Sequence, residues 1–204
     1  MSDHRIVVPV HYDFASSLCY VARRVMERIA DRFDAIDFRW TPLDLAALLN
    51  WNRGGVVPDD RRANVERVAR ELSVPVRMPP VWLDSRRAMA VAVLLEGQPS
   101  ETAWHERVYT AIFEEGRDCG QPGEMERWTR DLGLDFDEPE IERGLDELEA
   151  RTRAAAEAMV TGVPTFMLSE WPMGGIQDDD TMVTLINRFA RRARERGGAK
   201  RERA

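Results

Sequence analysis

The chain moves between two hydrophobic rhythms. Residues 5–10, "RIVVPV", form a continuous valine-rich run, which reads as a buried strand with Pro9 near its end. Residues 20–33, "YVARRVMERIADRF", place Tyr20, Val21, Val25, Ile29 and Phe33 at three- and four-residue spacing, the stripe of an amphipathic helix. "AIDFRWTPL", residues 35–43, follows as a second strand, and strand–helix–strand order predicts a right-handed parallel crossover. A turn-rich loop, "NWNRGGVVP", then precedes a helix expected over residues 64–72. "VPVRMPP" is extended, because a residue before proline avoids the helical region.

Residues 84–160 carry the helical period throughout, with breaks at "EGQPSE", "EGRDCGQPG" and "LGLDFDEPE". Ser100 precedes a helix holding Trp104 and Phe113, and Glu138-Pro139 opens a long charged helix that ends near Val160. The rhythm then shortens again. "GVPTFMLSEWPMGGI" holds two short strands around a turn, and "DDDTMVTLINRFARRA" is a closing helix with three acids at its positive end. The tail "RERGGAKRERA" is charged and glycine-broken and is expected to be disordered. No internal repeat is present. The plan is α/β: a thioredoxin-like fold (βαβ…ββα) with an all-helical insertion. Residues 1–83 and 161–193 make the thioredoxin-like domain, 84–160 the insertion and 194–204 the tail.

Composition narrows the function classes. The 204 residues suit one domain with an insertion, and 44% hydrophobic with 32% charged is ordinary for a soluble protein. A net charge of −7 opposes nucleic acid as the main partner, since a phosphate backbone needs a basic face. No apolar run is long enough to span a membrane, and the N-terminus goes straight into strand-like sequence, so the expected compartment is cytoplasmic. Cys19 and Cys119 lie far apart and give no disulfide framework. His4, His11 and His105 have no ligand spacing, so no metal site is expected.

The candidate chemistry sits at two places: Ser16-Ser17-Leu18-Cys19 at the first strand-to-helix junction, and Gly162-Val163-Pro164-Thr165 before the strand that follows the helical block. At these residues the sequence resembles the DsbA-like superfamily, nearest to the FrnE-type proteins, the 2-hydroxychromene-2-carboxylate isomerases and the kappa-class glutathione transferases. "DFASSLCYVA" looks like the FrnE-type pattern D-F-x-C-P-W-C-Y, and "LDSRRAMAVAV" like the start of the first inserted helix. "FEEGRDCGQPGEMERWTRDLGLD" is similar to an F-x-E-G-R-D-I-G segment. "GVPTFML" resembles the cis-proline strand, and "GGIQDDDTMVTLI" the strand and helix after it. The resemblance covers most of the chain and implies a cis Val163–Pro164 bond facing the first helix.

The departures bear on function. Ser16 falls where the attacking cysteine of a C-x-x-C motif stands, and Cys19 where the resolving one stands. A dithiol cycle needs both thiols, so it cannot run here. The isomerase and kappa-class relatives also carry serine at the first position, where it hydrogen-bonds the thiolate of bound glutathione. The resemblance further maps Asn52, Arg61 or Arg62, the backbone of Val163 beside Pro164, and Gln177 or Asp178 onto ligand contacts. The expected cofactor is glutathione or another small thiol, and the expected substrate a small electrophile or organic acid in a second pocket supplied by the helical block. A homodimer is one assembly the resemblance allows. Two other readings stay open: a monothiol oxidoreductase acting through Cys19, and a non-catalytic relative that binds thiols or peptides. Plainer roles stand beside these. Ser16 or Ser17 is also a good N-cap, Cys19 and Cys119 are also small buried hydrophobes, and the six tryptophans are mostly core, with Trp51 in a loop near the site.

Overall fold

A computed structural model of the chain describes residues 5–169 and 171–201. His4 and the end of the tail, residues 202–204, lie outside them. The sheet has four strands: β1 (Ile6–Tyr12), β2 (Ile36–Pro42), β3 (Thr165–Leu168) and β4 (Trp171–Gly174), in the order β2-β1-β3-β4. β2 runs parallel to β1 from Ile6↔Ile36 to Tyr12↔Pro42, while β3 and β4 run antiparallel to their neighbours. The valine run of β1 is buried on one face only. Val8, Val10 and Tyr12 are fully covered and Val7 faces out, as a period-two strand requires.

Helix α1 (Ser17–Arg28) crosses between β1 and β2 and buries Tyr20, Val21, Ala22, Val25 and Met26, close to the stripe read from the sequence. A 3-10 turn at Ala30–Arg32 closes it. α2 (Leu45–Leu49) was not foreseen, because five residues are too few to show a helical period. Asp44 starts it by accepting a hydrogen bond from Ala47 N at 3.1 Å, and Asn50 ends it in the left-handed region. α3 (Asp59–Glu71) begins earlier than expected, directly after Pro58, with Asp59 and Asp60 at the positive end of its dipole.

The insertion contributes α4 (Arg86–Leu95), α5 (Glu101–Phe113), α6 (Glu124–Asp131) and α7 (Glu138–Glu157). A capping box of Asp137 with Glu140 sets the start of α7. The insertion has no separate core. Val8, Val10 and Phe166 of the sheet belong to the same buried cluster as Trp104, Phe113 and Trp128. α8 (Asp179–Arg201) closes the fold. It runs through the stretch from residue 194 that was expected to be disordered, where Arg and Glu are good helix formers and Arg191 pairs with Glu195 one turn on. Trp171 also departs from expectation. It stands on the edge strand, 78% exposed, and not in the core.

α4 and α7 pack backbone to backbone at one point. A methyl placed on Gly144 would lie 2.8 Å from the carbonyl oxygen of Ala90, and that oxygen belongs to a helix and cannot swing away. The helix-propensity gain of alanine over glycine is about 1 kcal/mol. Prising two packed helices apart costs about 1–3 kcal/mol. Gly144→Ala is therefore expected to lower stability in urea unfolding; a clear rise would show that the helices separate at no cost.

Candidate functional site

The site begins where β1 stops. Asp13 turns the chain: its carboxylate accepts from Ala15 N at 2.8 Å, and its carbonyl from Ser16 N at 3.0 Å. Ser16 is then extended and caps α1, with its Oγ accepting from Cys19 N. At 3.4 Å that bond is near the limit of a hydrogen bond, so the oxygen is only loosely engaged as an acceptor. The amides of Ser17 and Leu18, first in the helix, have no intrahelical partner. Ser16 is 7% exposed, and what it does expose lines a cavity.

That cavity measures about 270 Å³ and lies between Ser16–Leu18, α2, α3 and the segment before β3. Leu45 and Leu49 of α2, Val65 of α3 and Met78 give apolar walls; Thr161, Gly162 and Val163 close the side next to the cis Val163–Pro164 bond. A shelf of Trp51 and Trp82 completes it, with ring centroids 4.3 Å apart. The shelf is held by a short antiparallel contact: Trp82 N donates to Gly55 O at 2.8 Å, and Gly54 N to Trp82 O at 2.7 Å. Arg61 lines the mouth, its guanidinium 4.7 Å from the Trp51 ring centroid, with no carboxylate partner among the described residues.

Not every expected residue is there. Ser16, Val163 and Trp51 line the cavity, and Arg61 does so in place of Arg62. One helical step points the two arginines in different directions. Asn52 is exposed in the turn beside the cavity, where its carbonyl accepts from Gly55 N. Gln177 is exposed, and Asp178 caps α8 by accepting from Thr181 N at 3.0 Å and its hydroxyl at 2.7 Å. Neither lines the cavity. Nor does the helical block: no residue of α4–α7 contributes to it. The apolar wall comes instead from α2, α3 and the Met78–Trp82 segment.

Behind the serine, Cys19 is fully buried. Burial pushes its thiol up to about 12; hydrogen bonds from the Ser16 side chain and the Asp13 backbone pull the other way and lose. The thiol therefore stays protonated at neutral pH, and the sulfur is a poor nucleophile. Cys119 is also buried and also pushed upward by burial. Beneath the site, Tyr12 Oη lies 2.8 Å from Nε2 of His105, whose pKa burial lowers to about 3, leaving a neutral ring. Phe14 packs edge-on between His105 and Tyr109, which fixes the end of β1 against α5.

Asp13 was quoted with the motif but not singled out, and it is the residue most worth finding. It is 1% exposed. Besides Ala15 N, its carboxylate accepts from Ser85 Oγ at 2.5 Å and from Leu45 N at 2.8 Å. Burial raises its pKa from the ordinary 3.8 to about 6, against the pull of these three bonds. One sequence signal was present: a lone carboxylate between Tyr12 and Phe14, at the end of an apolar strand.

Comparison with known proteins identifies the family. The chain belongs to the DSBA-like thioredoxin domain family, which matches residues 7–187. Its fold is shared by a 2-hydroxychromene-2-carboxylate isomerase, at 22% identity over 95% of this chain and 99% of that one, TM-score 0.70. A probable DsbA oxidoreductase from Streptomyces coelicolor is similar at 18% identity over 91% and 90%, TM-score 0.72. So is the cytosolic disulfide reductase DsbM from Pseudomonas aeruginosa, solved with GSH, at 17% over 91% and 100%, TM-score 0.61. At these identities the likeness is one of fold. No curated protein matches the chain in sequence. No helix among the described residues is long and apolar enough to cross a membrane.

Two outcomes follow from the buried groups. Neither thiol should react with an aromatic disulfide reagent in the folded protein at pH 8, and both should react in denaturant; rapid modification of one in the native state would contradict the burial of Cys19 or Cys119. For Asp13 the raised pKa means that the fold holds its proton more tightly than the unfolded chain does. Its contribution to stability is therefore full below about pH 4 and falls as pH rises through 6, by up to about 3 kcal/mol. Relative to Asp13→Asn, which has no such titration, the wild type should lose ground in urea unfolding between pH 4 and 7. An advantage that grew with pH would carry the wrong sign.

Proposed function

We propose that the chain binds a small thiol such as glutathione with its sulfur at Ser16, and uses it in transferase or isomerase chemistry on a small electrophile or organic acid. The observation that carries this reading is a loosely engaged serine hydroxyl at the α1 N-terminus, facing a cavity, where a redox relative would place its attacking cysteine. The nearby cysteine is shut off by burial, which argues against the monothiol alternative.

The chemistry is electrostatic. A helix N-terminus stabilises an anion by about 0.3–1 kcal/mol, and a hydrogen bond to a charged group is worth roughly 1.5–3 kcal/mol. At 1.36 kcal/mol per unit, the two together lower a bound thiol from about 8.5 by roughly 1–3 units, which makes much of it thiolate near neutrality. Ser16 acts as donor, not as nucleophile. Arg61, at the mouth with no carboxylate partner among the described residues, suits a carboxylate of the ligand, and the backbone beside Pro164 suits strand-like pairing with a peptide-like thiol. The Trp51–Trp82 shelf offers the acceptor an apolar face. A reduced thiol pool, as in the cytoplasm, is the setting this reading requires.

The test separates ligand chemistry from helix capping. The thiolate absorbance of bound glutathione is followed against pH in the wild type and in Ser16→Ala, with the melting temperature of each. The expected result is a 10- to 150-fold weaker thiolate equilibrium in the variant, the loss of one charged hydrogen bond. A variant that melts earlier but leaves the thiol titration unchanged, or a protein that binds no thiol at millimolar concentration, would reduce Ser16 to a cap. Insulin-reductase activity should stay at background, because a serine cannot form the mixed disulfide.

A further inference from the structure

We propose that the Asp13 carboxylate is the positioning group of the Ser16 site and makes that site acid-sensitive. Its two oxygens hold three parts of the molecule at once. Oδ1 takes Ala15 N of the Ser16 turn and Ser85 Oγ at the start of α4; Oδ2 takes Leu45 N, the first residue of α2. Leu45 is also part of the cavity wall. The serine and the wall facing it are thus referenced to one side chain.

Protonation changes the strength of those bonds. An ionised carboxylate accepts from all three donors, while a carboxylic acid has turned one oxygen into a donor. Ser85 can adapt, because a hydroxyl both donates and accepts. The amides of Ala15 and Leu45 can only donate, and a protonated oxygen is the poorer acceptor, so a proton on Oδ1 weakens the bond from Ala15 N and a proton on Oδ2 the bond from Leu45 N. The N-terminus of α2 is held besides by Asp44, which caps Ala47 N, pairs with Arg53 and donates its amide to Thr152 Oγ1 at 2.9 Å, and by Leu45 packed against Ala155.

The ionisable groups that face Asp13 are Tyr12 of β1, Cys19 of α1, Asp44 before α2, Tyr109 of α5 and Cys119 beyond it. The tyrosines and cysteines are all pushed upward by burial and stay neutral below pH 8. Asp44 is held in its ion pair with Arg53. With burial placing the Asp13 midpoint at about 6, its proton is the one that enters this cluster just below neutrality.

For its consequence the inference rests on Ser16 as the ligand-binding serine, but its test needs no ligand, so the two readings fail separately. The full chain is labelled with nitrogen-15, and the amide resonances of Ala15 and Leu45 are followed from pH 4.5 to 8. Both should titrate with one shared midpoint near 6, and both titrations should vanish in Asp13→Asn. Ser85→Ala removes a donor that favours the ionised form, so the midpoint should rise by about one unit or more. That second variant decides the matter if Asp13→Asn fails to fold. Flat resonances, different midpoints for the two amides, a titration that survives Asp13→Asn, or a midpoint unmoved in Ser85→Ala would each overturn the proposal.

Discussion

A buried carboxylate with three donors and, among the described residues, no cation against it organises this molecule. Taking a charge out of water is unfavourable, and the raised pKa of Asp13 measures how incompletely its hydrogen bonds offset that. The reason for keeping it lies in the backbone. Where β1 gives way to the turn, and again where α2 begins, an amide is buried with no ladder or helix to receive it. Asp13 answers both with one side chain, and reaches Ser85 at the first inserted helix with the same group. A residue placed for backbone reasons therefore couples the sheet, the site and the insertion.

The Ser16 cavity and the insertion divide the work between them. The insertion does not wall the cavity. It works from behind, through Trp104 and Phe113 in the shared core, through the Tyr12–His105 contact, and through Ser85. Beside α3, the cavity's own walls come from short pieces: a five-residue helix, a tilted tryptophan pair and the turn before β3. Such pieces hold their shape through a few specific bonds, not through large buried area. A polar anchor therefore counts for more there than it would in the interior.

Much of the fold was legible because its elements are long or periodic. The stripe of α1, the valine run of β1 and the Glu138-Pro139 start of α7 each follow from local rules, and their order fixed the architecture. The motif at Ser16 was legible for the same reason, since a strand-to-helix junction has a signature. What escaped was short or non-local. α2 has too few residues to show a period, and Arg61 and Arg62 differ only by a helical step that depends on where α3 begins. Trp82 comes to the site through pairing with the Gly54–Gly55 turn, some thirty residues away in the chain. The partners of Asp13 lie on segments far from it in sequence, and nothing in the local pattern of any one announces the other two. Asn52, Gln177 and Asp178 were carried over by register, and a register does not say which way an exposed side chain points.

The sheet ends on β4, a strand with an open side and an exposed tryptophan at its start. An outer strand of that kind is a template: another chain can dock on its free amides and extend the sheet from molecule to molecule. Pro172, next to Trp171, has no amide to offer, and its ring fixes the backbone where an incoming strand would need to pair. With four residues in the strand, one missing donor breaks the template near its middle. Trp171 can thus meet solvent without the sheet becoming a seed for fibrous aggregation.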